Sequence, residues 1–252
     1  MNQLMIIIMN GDISMKKQTD LKSIKSIALA FLYLPVEETD FSPIVVMHPI
    51  FENGFVGIKI NGEFIMVNIL ESEENLEKAI KTWRTNIENA KDAAQVYAFI
   101  RKSYRLTFLK YIEKYLSEKD FTELLADAWV SSENPNQDVN VDIPTLTKWF
   151  KKSDKRLLMV EEDYQVYISL APEIKIYRGV AVGRNPKGLS WTQSYKEAEW
   201  FANRFNTADQ KGYIQEATIK KENVLAYFNT RGEEEIVANI KDVTNLRIIN
   251  LD

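Results

Sequence analysis

The chain of 252 residues carries 32 Lys and Arg against 36 Asp and Glu, a net charge of −4, with one histidine and no cysteine. The missing cysteines exclude disulfides, thiolate nucleophiles and Cys-ligated zinc, and a single histidine excludes a multi-His metal site. The acidic balance argues against general nucleic-acid binding, because neutralising phosphates requires concentrated Lys and Arg.

The opening "MNQLMIIIMNGDIS" reads as an upstream start, and Met15, followed by two lysines, fits equally as the true beginning. No run reaches the ~18 apolar residues of a membrane span. "SIALAFLYLPV" follows Lys16, Lys17, Lys22 and Lys25 in the manner of a signal sequence, but no small-residue cleavage site comes after it. The expectation is a core strand in a cytoplasmic protein. "SPIVVMHPI", "GFVGIKI" and "EFIMVNIL" read as further strands, the last two joined by an Asn61-Gly62 hairpin turn. His48 lies in an apolar strand-like run and reads as structural.

Helices follow. Leu76, Ile80, Trp83 and Ile87 share one face, as do Val96, Ile100, Leu109, Ile112 and Leu116, and then Phe121, Leu124, Leu125, Ala128 and Trp129. "VSSENPNQDVNVDIP" is a loop, and Pro144 suits the first turn of a short helix holding Trp149 and Phe150. The basic run of Lys148, Lys151, Lys152, Lys155 and Arg156 reads as a solvated helix face. "LLMVEEDYQVYISL" reads as one more helix. From Ile174 the pattern returns to strands: "IKIYRGV", "GLSWT", "GYIQEATI", "NVLAYF", "EEIVA" and "LRIINL". Ser194 and Glu197 form a capping-box signature ahead of a helix striped with Ala198, Phe201, Ala202 and Phe205. The fold class is α+β, in three stretches: a β-rich part over 1–72, helices over 73–170, and a sheet-rich core over 171–252. No G-x-G-x-x-G follows a strand, so a Rossmann alternation is not expected.

In the last stretch, chemistry-bearing residues gather at strand ends. Arg178 ends an alternating strand beside Gly179, which admits close approach of backbone or ligand. Ser190 and Thr192 share a strand face, and so do Glu233 and Glu235 on the strand entered through "NTRGEEEIV". Three glutamates entering a strand repel one another and are poor strand formers, a cost that use in a site would explain.

Taken in order, "IYRG", "LSWT" and "EEEIV" resemble the three motifs of the Arg–Ser–Glu class of mono-ADP-ribosyltransferases, in a compact form of the phage and prophage type. The resemblance spans at most residues 95–252 and is specific over about 60 of them. It implies a split-sheet core of that family, NAD as cosubstrate, and a host or other target protein as acceptor, arginine being favoured by the Glu-x-Glu pair. It further implies that Arg178, with Gly179 and Tyr177 beside it, holds the NAD phosphates or ribose, and that Ser190 and Thr192 brace the pocket and orient the catalytic acid. Glu235, before the pair Ile236-Val237, matches the catalytic glutamate, and Glu233 matches the residue that positions the acceptor. Tyr227 or Phe228 would contact nicotinamide or target, against a role in a buried strand.

The chemistry needs neither metal nor histidine. Cleaving the nicotinamide–ribose bond develops oxocarbenium-like charge that a carboxylate stabilises, and the leaving group departs without a proton. The sequence departs from the family pattern in two places. Only 11 residues separate Arg178 from Ser190, leaving "VAVGRNPKG" with Arg184 and Lys187 to build the pocket wall, and Trp191 stands at the middle of the Ser-Thr-Ser triplet. These departures keep open an alternative, a non-catalytic interaction or inhibitor protein on the same scaffold. A glycosidase is disfavoured, because adjacent carboxylates on one strand entry do not flank a sugar.

Overall fold

The computed structural model describes residues 17–60 and 62–251. The expectations for the opening segment, Met15 and Asn61 lie outside the described residues.

The run read as a first strand is a helix, α1 (Leu21–Leu32). Its apolar residues are contiguous enough to mimic a strand, yet those it buries, Ile24, Ala28, Phe31 and Leu32, recur at helical spacing. Asp20 starts it by accepting the Ser23 N–H at 3.1 Å. Two hairpins follow, β1 (Glu37–Thr39) with β2 (Ser42–Met47), and β3 (Phe55–Ile60) with β4 (Glu63–Asn68), both antiparallel. Gly62 takes the positive φ (90°) that the second turn requires. The first stretch is therefore a helix and two small sheets, rather than β alone. His48, just past β2, is 1% exposed.

The middle stretch is helical: α2 (Glu73–Asn89), α3 (Ala93–Ala98), α4 (Arg105–Ile112), α5 (Glu118–Ser131), α6 (Ile143–Lys152), α7 (Lys155–Leu158) and α8 (Glu161–Ser169). Two expected helices are broken. The stripe from Val96 to Leu116 is buried as expected, but the chain turns between α3 and α4, where the Arg101 N–H leaves the helix for the Pro49 carbonyl at 2.8 Å. The helix expected from Leu157 breaks at Met159 and Val160, both extended. Met159 spends its sulfur on the Tyr227 N–H at 3.3 Å, which fastens the helices to the sheet. Pro144 sits in the first turn of α6, as its fixed φ favours.

The last stretch builds one six-stranded antiparallel sheet from β5 (Glu173–Val180), β6 (Ser190–Thr192), β7 (Tyr213–Lys220), β8 (Ala226–Phe228), β9 (Glu235–Val237) and β10 (Val243–Asn250), in the order β10-β7-β5-β6-β9-β8. Its two three-stranded halves meet through a single register pair, Tyr177 with Thr192. One face of β5, carrying Ile174 and Ile176, packs into a core shared by all three stretches. On the other face α9 (Tyr195–Asn203) lies against β5 and β7, with Ala198, Ala202 and Ile214 forming a small second core. Gly179 makes that seat possible: a Cβ there would overlap the Ala198 carbonyl and lie 2.6 Å from the Ala202 nitrogen. The close approach that Gly179 permits is that of a helix backbone. Among the described residues, no helix is long and apolar enough to cross a membrane.

Candidate functional site

The junction of the two half-sheets opens into a cleft of about 890 Å³, including the open space at its mouth. Tyr177, Arg178, Gly179, Ser190, Thr192, Glu233 and Glu235 all line it. The sheet explains the convergence. Thr192 pairs with Tyr177 on one side and with Glu235 on the other, so the three strands carry the three motif positions side by side.

Glu233 is not on the strand. β9 begins at Glu235, and Glu234 sits at φ 47°, a left-handed conformation that costs a non-glycine residue about a kcal/mol or more. That turn replaces strand alternation and delivers both flanking carboxylates to the cleft. It is held by the Asn229 side chain, which accepts the Glu234 N–H at 3.0 Å, and by the Thr192 hydroxyl, which donates to the Glu233 carbonyl at 2.8 Å. Thr192 also accepts the Ser194 N–H at 3.0 Å, taking the place expected for Glu197; only the Ser194 half of the capping box forms, on the Glu197 N–H at 3.2 Å.

Glu235, at the start of β9, is half-buried. Burial pushes its carboxyl up to about 7, helped by the nearby charge of Glu233, while hydrogen bonding from Ser190 and Trp129 and the charge of Arg231 hold it back. The Trp129 indole donates to Oε1 at 3.1 Å. Glu233 is also shifted upward, again by burial first and then Glu197, with Arg231 and Arg204 opposing.

Arg178 is 7% exposed and turned mainly to protein. It donates to the Ser190 carbonyl and, at 2.8 Å, to the Asn185 carbonyl, which folds the short 181–189 loop back onto the sheet. Its Nε has no partner among the described residues. Burial lowers its guanidinium to about 10, with the Glu235 charge pulling the other way. Gly188 leaves room for this arrangement, since a Cβ there would run into the guanidinium and lie 2.8 Å from Asn136 Cγ.

Arg184 lines the cleft with its guanidinium 4.8 Å from the Phe205 ring centre, whereas Lys187 is exposed and outside the lining. Arg204, between Trp200 and Phe205, adds a further cation, and Arg231 binds the carbonyls of Val130 and Ser132 at the end of α5. Tyr227 and Phe228 are buried in β8, and the basic run is mostly exposed as expected, with Lys152 pairing with Glu113, while Lys155 donates to the Phe150 and Leu225 carbonyls.

No protein-family model, curated protein or solved structure matches this chain. The site therefore rests on its own geometry. Sequence reading missed Trp129, Asn136, Arg204 and Arg231. Trp129 sits in a stripe that reads as core, and its one hint is that a buried indole N–H needs an acceptor. Asn136 lies in a loop dense in polar residues, where nothing singles it out. Among the described residues, no cluster of three or more His, Asp or Glu is arranged to hold a metal.

Proposed function

We propose that this chain is a mono-ADP-ribosyltransferase that moves ADP-ribose from NAD to a protein side chain, arginine being the favoured acceptor. The observation that carries the reading is the meeting of Arg178, Ser190 and Glu235 on three adjacent strands around one cleft. A sheet whose halves join through one residue pair, with the site at that junction, also fits the split core that the resemblance implies.

The cleft suits a dinucleotide in its donors. Arg184 and Arg204 offer cations for phosphates, Tyr177, Phe201 and Phe205 offer apolar faces for flat rings, and Arg178 Nε remains a buried donor to be satisfied. Bound NAD supplies an activated glycosidic bond, so the protein need only orient it and stabilise charge. The ionised Glu235 carboxylate, backed by the Ser190 hydroxyl and the Trp129 indole, stabilises positive charge on the sugar as the nicotinamide leaves. Arg178 braces the 181–189 wall. Glu233, its carboxyl raised by burial, stands at the mouth to orient an incoming guanidinium and accept its proton.

Glu235 acts ionised while its carboxyl titrates near 7, so the rate rises with pH through that value. The test is incubation of the full chain with labelled NAD and arginine-rich protein acceptors. Wild type should release nicotinamide and label the acceptor, and Glu235→Ala should lose both by at least about a hundredfold, the scale of removing a transition-state electrostatic group. Wild type indistinguishable from Glu235→Ala ends the reading. One observation favours a non-catalytic scaffold instead: both terminal nitrogens of Arg178 are already occupied by backbone carbonyls. That alternative predicts calorimetric silence toward NAD.

A further inference from the structure

We propose that Trp129 and Asn136, supplied by the helical stretch and not by the three strand motifs, are positioning residues for the Glu235 carboxylate, the first directly and the second through Ser190. This rests on the transferase reading and extends it to groups that no motif contains.

Trp129 is 1% exposed and its ring meets Phe150 edge-on at 5.0 Å, so the core fixes where its N–H points. An indole N–H only donates. The other fully buried indoles with a partner find it elsewhere, Trp149 on Glu113 at the surface and Trp191 on the Ala238 carbonyl. Trp129 alone addresses a cleft carboxylate, at 3.1 Å, and so selects the orientation of Glu235.

Asn136 acts one step removed. Its Oδ1 accepts the Leu189 N–H at 2.6 Å, which fixes the amide so that Nδ2 donates to Ser190 Oγ at 2.9 Å. A serine hydroxyl has one proton. With Asn136 donating into its lone pair, that proton is free to turn toward the Glu235 carboxylate, which lines the same cleft. The Asn136 carbonyl accepts from Asn185 Nδ2 at 3.2 Å, and the Asn185 carbonyl accepts from Arg178. One connected path thus runs from Arg178 through Asn185 and Asn136 to Ser190, across the cleft lining from the acid.

Two substitutions in the full chain test this. Trp129→Phe keeps an aromatic ring and removes the donor. Asn136→Asp keeps the acceptor for Leu189 and turns the donor toward Ser190 into an acceptor, which draws the hydroxyl proton away from Glu235. Each should lower kcat for NAD cleavage about tenfold to a hundredfold with KM within about twofold, because the lost bond acts on developing charge. Each should also move the rising limb of the pH profile upward, since a lost donor to a carboxylate raises its pKa. A readout independent of turnover is the Trp129 indole N–H resonance, which should follow the titration of the carboxyl in wild type and stop doing so in Glu235→Gln. Wild type active, with both variants equal to it in kcat and pH limb, overturns this inference and leaves the transferase reading standing. Wild type without NAD turnover overturns the transferase reading and the positioning role with it. A wild-type indole resonance that is flat with pH overturns the contact whatever the activity.

Discussion

Two of the regions that bury polar groups among the described residues do so to opposite ends. Around His48, the polar groups are turned back on the chain except for the imidazole Nε2, which is buried without a partner among the described residues. Its Nδ1 accepts the N–H groups of Ile50 and Phe51 at 3.1 and 3.0 Å, its ring stacks on Phe51, and Arg101 donates to the carbonyls of Val46, His48 and Phe51. Burial lowers this imidazole to about 4, so it stays neutral, and His48 lines none of the described clefts. At the sheet junction Arg178 is used in the same backbone-bracing manner, but Glu235 and Glu233 face a hollow, their carboxyls raised by burial. A buried charge by itself therefore does not mark a site. A buried acid whose partners leave it facing open space does.

Three experiments sharpen that contrast. The largest effect is expected from Arg178→Ala, which strands two backbone carbonyls and removes a buried cation from beside the cleft. The loss should be about 3 kcal/mol of unfolding free energy, read by urea denaturation at neutral pH. Next is the acid response of the His48 region. The folded imidazole titrates near 4 and the unfolded one near 6.5, so the unfolded chain takes up the proton first. Stability is complete above about 6.5 and falls as pH drops toward 4, by up to about 3 kcal/mol at the lower end. His48→Asn keeps an acceptor for the two N–H groups and should flatten that limb in thermal melts at pH 7 and 4.5. The smallest effect has the opposite sign. Glu235 titrates near 7 when folded and near 4.5 when unfolded, so its ionised form burdens the fold above about pH 7 and not below 4.5. Glu235→Gln should raise stability by about 1–2 kcal/mol at pH 8 and by nothing at pH 4, while removing activity.

Much of the last stretch was legible because its signals are local. Alternation located β5, β7 and β10, turn residues bounded them, and Ser194 marked the start of α9. The meeting of Arg178, Ser190 and Glu235 was legible only as ordered motifs, since no local rule brings residue 178 beside 190 and 235. The first stretch was misread where an apolar run was long enough to hide its period, as in α1, and the middle stretch where a helix ends for a tertiary reason, as at Arg101 and Met159. Glu233 was misplaced because strand alternation was carried one turn too far; the left-handed Glu234 is not announced by its residue type. Trp129 and Asn136 could not be found at all from spacing, since their importance lies in what a distant strand presents to them.

The seat of α9 on Gly179 has a consequence for how a ligand gets in. With Ala198 and Ala202 lodged against Gly179, α9 and the Phe201 it carries are seated directly on the strand backbone and form the firmer bank of the cleft. The opposite bank, 132–137, is tied to the sheet by a handful of side-chain hydrogen bonds, chiefly those of Asn136 to Leu189 and Ser190. Breathing of the mouth falls to that bank, and the latch that aligns the acid is also the hinge pin of the door.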